Sequence, residues 1–385
     1  MYQYHCLNPI SMVGLERFSA NYVRAGSLRD VDAVLVRSAD MHDLFLPDSV
    51  AAVARAGAGT NNIPLAEYAR KGIVVFNTPG ANANGVKELV FAGMLLAARD
   101  VNGGIEWVKT QKGDPDIAAS AEKEKKRLAG HELAGKKLGV IGLGAIGVLV
   151  ANAATHLGME VQGYDPYISV DAAWNLSRSI RHINDITAIF RECDYITIHV
   201  PLTDSTRGMI GKKEIDMMKK GAVLLNYARD LLVDEAAVLQ ALDDGRLHRY
   251  VSDFPNPVTA GHPGVILSPH IGASTAESED NCAKAAVNAL RDYLENGNIQ
   301  NSVNYPSCQM GAASFPARIS LCHYNKKKMI SHFTDVLSDT NIAHMSNSSR
   351  GDFAYTLIDL EERPAQEVTD RLRQIDGVLR LRIIT

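Results

Sequence analysis

One run of glycines constrains this chain more than any other feature. Gly142, Gly144 and Gly147 form a G-x-G-x-x-G directly after the apolar run 138–141 and at the opening of a helical pattern over 146–157. Glycines in that setting permit a tight turn, close approach of a ligand to the backbone, and close packing of helix on strand. The helix N-terminus, with its unpaired N–H groups and dipole, suits a pyrophosphate. The fingerprint also needs an acid at the end of the next strand, where it can bond a ribose 2′-hydroxyl. Asp165 closes the run 161–164, 18 residues after Gly147. A carboxylate there repels a 2′-phosphate, so NAD is the expected cofactor rather than NADP. Gly142, Gly144, Ala145, Ile146, Gly147 and Asp165 are the first candidate cofactor contacts.

Around this turn the chain alternates β and α. Strand-length apolar runs recur at 138–141, 161–164, 195–200, 222–226, 250–254 and 265–267, with helical stretches such as 146–157 and 235–242 between most of them. Near-continuous apolar strands separated by helices predict a parallel sheet covered on both faces. The first eighty residues read similarly, with runs at 33–36, 50–54 and 73–76, followed by one long helix over 84–109. Another helix is expected over 273–296, ending at Asn296-Gly297. Residues 306–314 read as a linker. Beyond it the order strand, helix, strand, strand, helix, strand over 316–385 predicts a ferredoxin-like βαββαβ domain.

Composition narrows the partners. At 46% hydrophobic and 22% charged residues the chain is that of an ordinary globular protein. A formal net charge of −4 argues against a nucleic-acid binder, which needs a basic surface to displace counterions. No apolar run approaches the ~20 residues that span a bilayer, so no membrane partner is expected. The first residues carry no basic, apolar leader. Five scattered cysteines without C-x-x-C spacing point to a reducing cytoplasm and no metal site.

Three further residues stand at or just beyond predicted strand ends, where open α/β sheets bind ligands: Arg229, Asp253 and His270. Singly, each has a bland reading, as a surface-turn cation, a strand-end acid and a helix cap. Together, beside a nucleotide fold, they suggest redox chemistry on a small anionic 2-hydroxy or 2-oxo acid. A guanidinium grips a carboxylate in bidentate fashion and polarises the adjacent carbonyl. An imidazole can take the hydroxyl proton while hydride leaves.

The segments GLGAIG, His199-Val200-Pro201-Leu202, NYARDLLVD, SDFP and SPHIGAS, in this order, resemble the D-2-hydroxyacid dehydrogenases over nearly the whole chain. The resemblance implies a Rossmann-type doubly wound parallel sheet inserted in a discontinuous flavodoxin-like substrate domain, plus a C-terminal ferredoxin-like (ACT) domain. The expected boundaries are 1–85 with 275–305 for the substrate domain, 86–274 for the NAD domain, 306–315 for the linker and 316–385 for the ACT domain. It gives Arg229 the substrate carboxylate, His270 the proton transfer and Asp253 the nicotinamide carboxamide. His199, Val200, Pro201, Ala228 and Gly272 would complete the cofactor cleft. Arg37 and Ser38 resemble the phosphate-contacting pair of members with phosphorylated substrates, and Gly59 and Asn82 resemble their substrate loops. An additional cation away from the reacting centre suits a phosphorylated acid. The implied reaction is NAD-dependent oxidation of 3-phospho-D-glycerate, in a homodimer or homotetramer. His323, Asn325 and Asn341 match effector positions of the ACT domain. The alternatives are a reductase of glyoxylate, hydroxypyruvate or another 2-oxo acid, and a nucleotide- and effector-binding protein with little turnover.

Two departures stand out. The family carries a glutamate five positions after the aspartate equivalent to Asp253, and Val258 occupies that place here. The ACT ligand turn carries Pro-Gly after His-x-Asn, where this chain has Lys326-Lys327-Lys328. Impaired acid–base catalysis and weak or absent serine regulation are therefore expected.

Overall fold

Strands that are apolar from end to end need cover on both faces, and residues 83–275 supply it. The computed structural model describes Met1 to Thr385 as two units: Met1–Asn82 with Ala276–Thr385, and Ala83–Thr275. The second holds a seven-stranded sheet in the order Val265–Leu267, Leu247–Ser252, Ala222–Asn226, Tyr195–Ile198, Lys137–Ile141, Glu160–Tyr164, Arg181–His182. All six neighbouring pairs run parallel. Every residue of Tyr195–Ile198 and Ala222–Asn226 is buried, with one apolar cluster on each face of the sheet. The strand order reverses between Lys137–Ile141 and Tyr195–Ile198. Such a switch point opens a crevice at the carboxyl ends of the strands. The helix expected over 84–109 is two helices, Ala83–Ala98 and Val101–Thr110. Asp100 breaks it, because its side chain caps the second helix by accepting from Gly103 N at 2.9 Å. That second helix buries no residue.

The other unit contains a five-stranded parallel sheet in the order Tyr22–Arg24, Tyr2–Cys6, Ala33–Val36, Ala52–Arg55, Val74–Phe76. The helix Ala276–Asn296 buries Ala283, Ala286, Val287, Leu290, Tyr293 and Leu294 in the same core. It ends at Gly297, with φ +75°.

The C-terminal residues form an antiparallel sheet in the order Ile342–Arg350, Phe353–Leu360, Ala317–Tyr324, Val378–Ile384. The helices Met329–Val336 and Gln366–Arg373 cover one face, where Phe333 and Leu372 pack with Ile319, Leu321 and Ile358. The opposite face is covered too: Cys322, Tyr355 and Leu357 belong to the same core as Tyr293, Leu294 and Tyr305. The 306–314 segment is fastened rather than loose. Arg318, 1% exposed, pairs in bidentate fashion with Asp359 at 2.6 and 2.9 Å. Its remaining N–H groups reach the carbonyls of Asn296, Met310, Gly311 and Ala312. Removing one partner of such a buried pair typically costs about 3–5 kcal/mol. No helix of the chain is long and apolar enough to cross a membrane.

Candidate functional site

The three glycines of the loop have different jobs. Gly142 adopts φ +92°, and a Cβ there would sit 2.6 Å from the His199 carbonyl oxygen. A Cβ on Gly147 would sit 1.9 Å from the carbonyl oxygen of Gly142. The protein's own packing therefore demands these two. Gly144, the N-cap of the helix Ala145–His156, has nothing within 4 Å of its would-be Cβ. Its bare face is open to a ligand, beside the N–H groups of the first helical turn. Asp165 borders the loop, its carboxylate accepting from Leu143 N and Tyr167 N, both at 2.8 Å. An open cradle at a helix N-terminus with an acid alongside fits a dinucleotide whose ribose carries a free 2′-hydroxyl.

The floor beside the loop is His199 and Val200. The His199 ring shares a hydrogen bond with the Thr197 hydroxyl at 2.9 Å, and its Nδ1 has no partner. Burial pushes its imidazole down to about 3, so it stays neutral at any physiological pH. Val200 Cγ1 lies 2.8 Å from the would-be Cβ of Gly142. Pro201 follows, exposed, its carbonyl held by the Thr206 hydroxyl at 2.7 Å.

Two adjacent parallel strands, Ala222–Asn226 and Leu247–Ser252, present the residues of the rim. Asn226 is fully buried, its Oδ1 accepting from Ala228 N at 3.2 Å and its Nδ2 donating to the Arg229 carbonyl at 2.8 Å. It folds the turn that buries Ala228 and leaves Arg229 exposed, its guanidinium Nη1 donating to the Ala228 carbonyl at 2.6 Å. Sequence reasoning passed over Asn226, although its place at a strand end before a turn was the available signal. On the neighbouring strand end Asp253, 3% exposed, turns its carboxylate into the 268–272 loop. Oδ1 accepts the Ser268 hydroxyl at 2.5 Å and Ile271 N at 2.9 Å, and Oδ2 accepts Gly272 N at 2.7 Å. His270 is exposed on that loop at φ +57°, its ring 5.0 Å from Phe254 in an edge-on contact. Val258 is 59% exposed, with its backbone N–H capped by Asn256.

The remaining expected residues lie in the other unit. Arg37 and Ser38 follow the strand Ala33–Val36, and Asn8 Oδ1 gathers the backbone N–H groups of Arg37, Ser38 and Ala39 at 3.0–3.1 Å. The Arg37 guanidinium pairs with Glu279 at 2.5 Å, both partners 44% exposed. Gly59 sits in a loop against which Arg55 lies, the would-be Cβ of Gly57 being 2.6 Å from Arg55 Nη1. Arg55 is a second cation that the sequence reading did not single out, at the carboxyl end of its strand. Burial raises the Cys282 thiol against the pull of both Arg55 and Arg37. Asn82 is half-buried at the end of this unit's first segment.

The three effector candidates are dispersed in their contacts. His323 is 2% exposed, with Nδ1 on the Tyr324 carbonyl and Nε2 on the Thr356 hydroxyl, each at 2.9 Å. Its ring packs edge-on to Phe333 and burial lowers its pKa. Both nitrogens are spent inside the domain, which leaves none for a ligand. Asn325 and Asn341 are exposed and bond Gly351 and Glu361. No group of three or more His, Cys, Asp or Glu is placed to hold a metal ion.

Residues 91–272 match the D-isomer specific 2-hydroxyacid dehydrogenase NAD binding domain. The chain is 35% identical over 292 residues to a D-3-phosphoglycerate dehydrogenase of Methanocaldococcus jannaschii, covering 73% of this chain and 53% of that protein. It thus spans about half the length of that relative. To the D-3-phosphoglycerate dehydrogenase of Haemophilus influenzae it is 31% identical over 342 residues, 85% of this chain and 79% of the other. Among solved structures, an NAD+-bound 3-phosphoglycerate dehydrogenase from Entamoeba histolytica aligns with a TM-score of 0.60 at 27% identity. That alignment covers 79% of this chain and 98% of that one. The glycine cradle, the acid beside it and these likenesses agree, and the chain belongs to the NAD-dependent D-isomer specific 2-hydroxyacid dehydrogenases, alongside the D-3-phosphoglycerate dehydrogenases.

Proposed function

We propose that this protein oxidises 3-phospho-D-glycerate to 3-phosphohydroxypyruvate, the opening step of serine synthesis. The observation that carries the reading is the rim of the 83–275 unit, where Arg229 and His270 stand exposed at the carboxyl end of the sheet that carries the glycine cradle. NAD held in the glycine cradle would supply the hydride acceptor for the carbinol carbon. Arg229 holds the substrate carboxylate through paired N–H donors and polarises the neighbouring C–O bond. A ring nitrogen of His270 takes the hydroxyl proton, and returns it in the reverse direction. Gly142, Gly144, Ala145, Ile146 and Gly147 cradle the pyrophosphate, with Asp165 on the ribose hydroxyls. His199, Val200, Pro201, Ala228 and Gly272 line the cofactor's path.

Arg37 and Ser38 are assigned the substrate phosphate, with Arg55 at a strand end and Gly59 and Asn82 on loops of the same unit. An exposed ion pair such as Arg37–Glu279 is worth only about 0–1 kcal/mol, so a phosphate dianion can displace the carboxylate. The working form is assigned as a homodimer or homotetramer. The support is the groove of about 470 Å³ lined by Val101, Ile105, Val108 and Leu128, on a helix that buries nothing in its own chain. A cytoplasmic setting is supported by five free, buried cysteines.

The test is a steady-state assay with NADH and a panel of 3-phosphohydroxypyruvate, hydroxypyruvate and glyoxylate. The phosphorylated acid should be preferred. Arg37→Ala should lose at least about tenfold in kcat/KM on that acid alone, while Arg229→Ala should lose more than about 100-fold on all three. Equal efficiency across the panel would replace the reading with a general 2-oxo-acid reductase. NADH binding without turnover of any acid would replace it with a binding protein.

A further inference from the structure

We propose that Asp253 is a positioning residue for His270, clamping the 268–272 loop in the backbone conformation that presents the imidazole. The inference rests on the assignment of proton transfer to His270. That residue lies at φ +57°, a left-handed conformation that a side chain with a Cβ disfavours. Such a conformation persists only where its surroundings over-determine it. Its ring makes an edge contact to Phe254 and no hydrogen bond within its unit, and Val258 offers neither acceptor nor charge. The imidazole is therefore aimed by its own backbone and by one aromatic edge.

Asp253 controls that backbone. Its three donors bracket His270 on both sides: the Ser268 hydroxyl at 2.5 Å before it, Ile271 N at 2.9 Å and Gly272 N at 2.7 Å after it. A carboxylate offers about four acceptor positions, so the loop takes three of them. Hydrogen bonds to an ionised acceptor are about twice as strong as neutral ones. The loop is also shaped for the carboxylate, since a Cβ on Gly272 would lie 3.0 Å from Asp253 Oδ2. Asp253 is itself anchored, its N–H donating to the Asn226 carbonyl at 3.2 Å. Its chain neighbour Phe254 supplies the aromatic edge. One dipeptide thus fixes both the peptide and the ring of His270. This differs from holding the nicotinamide carboxamide, a role for which a single acceptor position remains.

The experiment is a double-mutant cycle read by kcat, by KM for the 2-oxo acid and by the NADH dissociation constant from fluorescence. Asp253→Asn, which meets two backbone N–H donors with an amide, should lower kcat about 100-fold, the scale of a 1 Å misplacement. Its NADH affinity should stay within about threefold. In a His270→Ala background the same substitution should cost less than about twofold more, because the group it positions is gone. Ser268→Ala, which removes one of the three donors and keeps the charge, should lower kcat about tenfold with NADH binding unchanged. A full Asp253→Asn penalty that survives in the His270→Ala background overturns the clamp, as does a loss confined to NADH affinity. An unchanged kcat in Ser268→Ala overturns it even if Asp253→Asn fails to fold. Unchanged kcat in His270→Ala alone would instead remove the proton-transfer assignment on which the clamp rests.

Discussion

The turn before the helix Ala145–His156 and the turn before the helix Met329–Val336 each hold a left-handed residue, yet one is open and the other filled. In the first this is Gly142 at φ +92°, two positions before the extended N-cap Gly144; in the second it is Lys328 at φ +64°, itself the N-cap. In the first, glycines stand wherever backbone crowds, and Gly144 leaves an open face above the helix N-terminus. In the second, the positions around the turn are occupied. Lys326 is tied to Asp376 at 2.8 Å and lies 5.7 Å from the centre of the Tyr324 ring, while His323 has turned inward. Sheet and helix packing preserve the turn in both places. Side chains decide whether anything can approach it, so a ligand site can close without any change of fold.

The sharpest way to break the contrast is to add one methyl group at two glycines of the same loop. Gly147→Ala puts carbon 1.9 Å from the Gly142 carbonyl oxygen, and should cost about 3 kcal/mol or abolish folding of this unit. Gly144→Ala meets no protein atom within 4 Å and should leave stability within about 0.5 kcal/mol. Its NADH dissociation constant should nevertheless rise at least about tenfold, because the methyl occupies the ligand's approach. Thermal unfolding and fluorescence titration separate the two. A Gly144→Ala protein that binds NADH normally would show that the open face serves no ligand.

Asp165 sharpens the same side of the contrast. Its carboxylate is held by Leu143 N and Tyr167 N, so its charge is fixed against the loop. The unmodified protein should prefer NADH over NADPH. Asp165→Ala should narrow the ratio of the two kcat/KM values about tenfold, or 1.4 kcal/mol, by removing both the ribose bond and the repulsion. Equal efficiency with both cofactors before mutation would remove Asp165 from the specificity argument.

How far these sites were legible in the sequence follows from how locally each is built. The glycine loop, Arg229, Asp253 and His270 could be read because motif and strand end coincide within a few residues. The partners that make them work could not. Asp253 finds its donors 15 to 19 residues away, and Asn8 gathers N–H groups 29 to 31 residues on. Asp100 divides a helix by a cap that hydrophobic spacing does not register. The strand Tyr22–Arg24 is three residues long, and Tyr2–Cys6 alternates aromatic with polar residues, too little for a run-based reading. His323 matched an effector position by type, but its inward turn depends on Thr356 in another strand. Likewise, 306–314 reads as a linker until Arg318 and Asp359 are seen to fasten it.

On the other side of the contrast, L-serine should leave the rate of NADH oxidation unchanged. The turn after Tyr324 carries the Lys326–Asp376 pair, and both nitrogens of His323 are hydrogen-bonded within the domain. The measurement is the initial rate at saturating 2-oxo acid with serine added. Inhibition by micromolar serine would show that the turn still admits a ligand and would break the contrast.

The smallest effect expected is also the most direct test of the backbone of the second turn. Lys328 is the N-cap of the helix Met329–Val336 and makes no side-chain cap bond there. A residue with a Cβ in the left-handed region is about 1 kcal/mol worse off than glycine. A cation at a helix N-terminus opposes the dipole by a further few tenths of a kcal/mol where exposed. Against these gains, glycine adds unfolded-state entropy worth roughly 0.5–1 kcal/mol. The terms leave Lys328→Gly more stable by about 0.5 kcal/mol, with NADH affinity and kcat unchanged. Urea unfolding should show a higher midpoint at constant slope, since constant slope means that the surface exposed has not altered. If Lys328→Gly lowers the midpoint, the lysine contributes contacts that outweigh its strain. The turn would then be a structure built around lysine rather than one whose backbone is better suited to glycine.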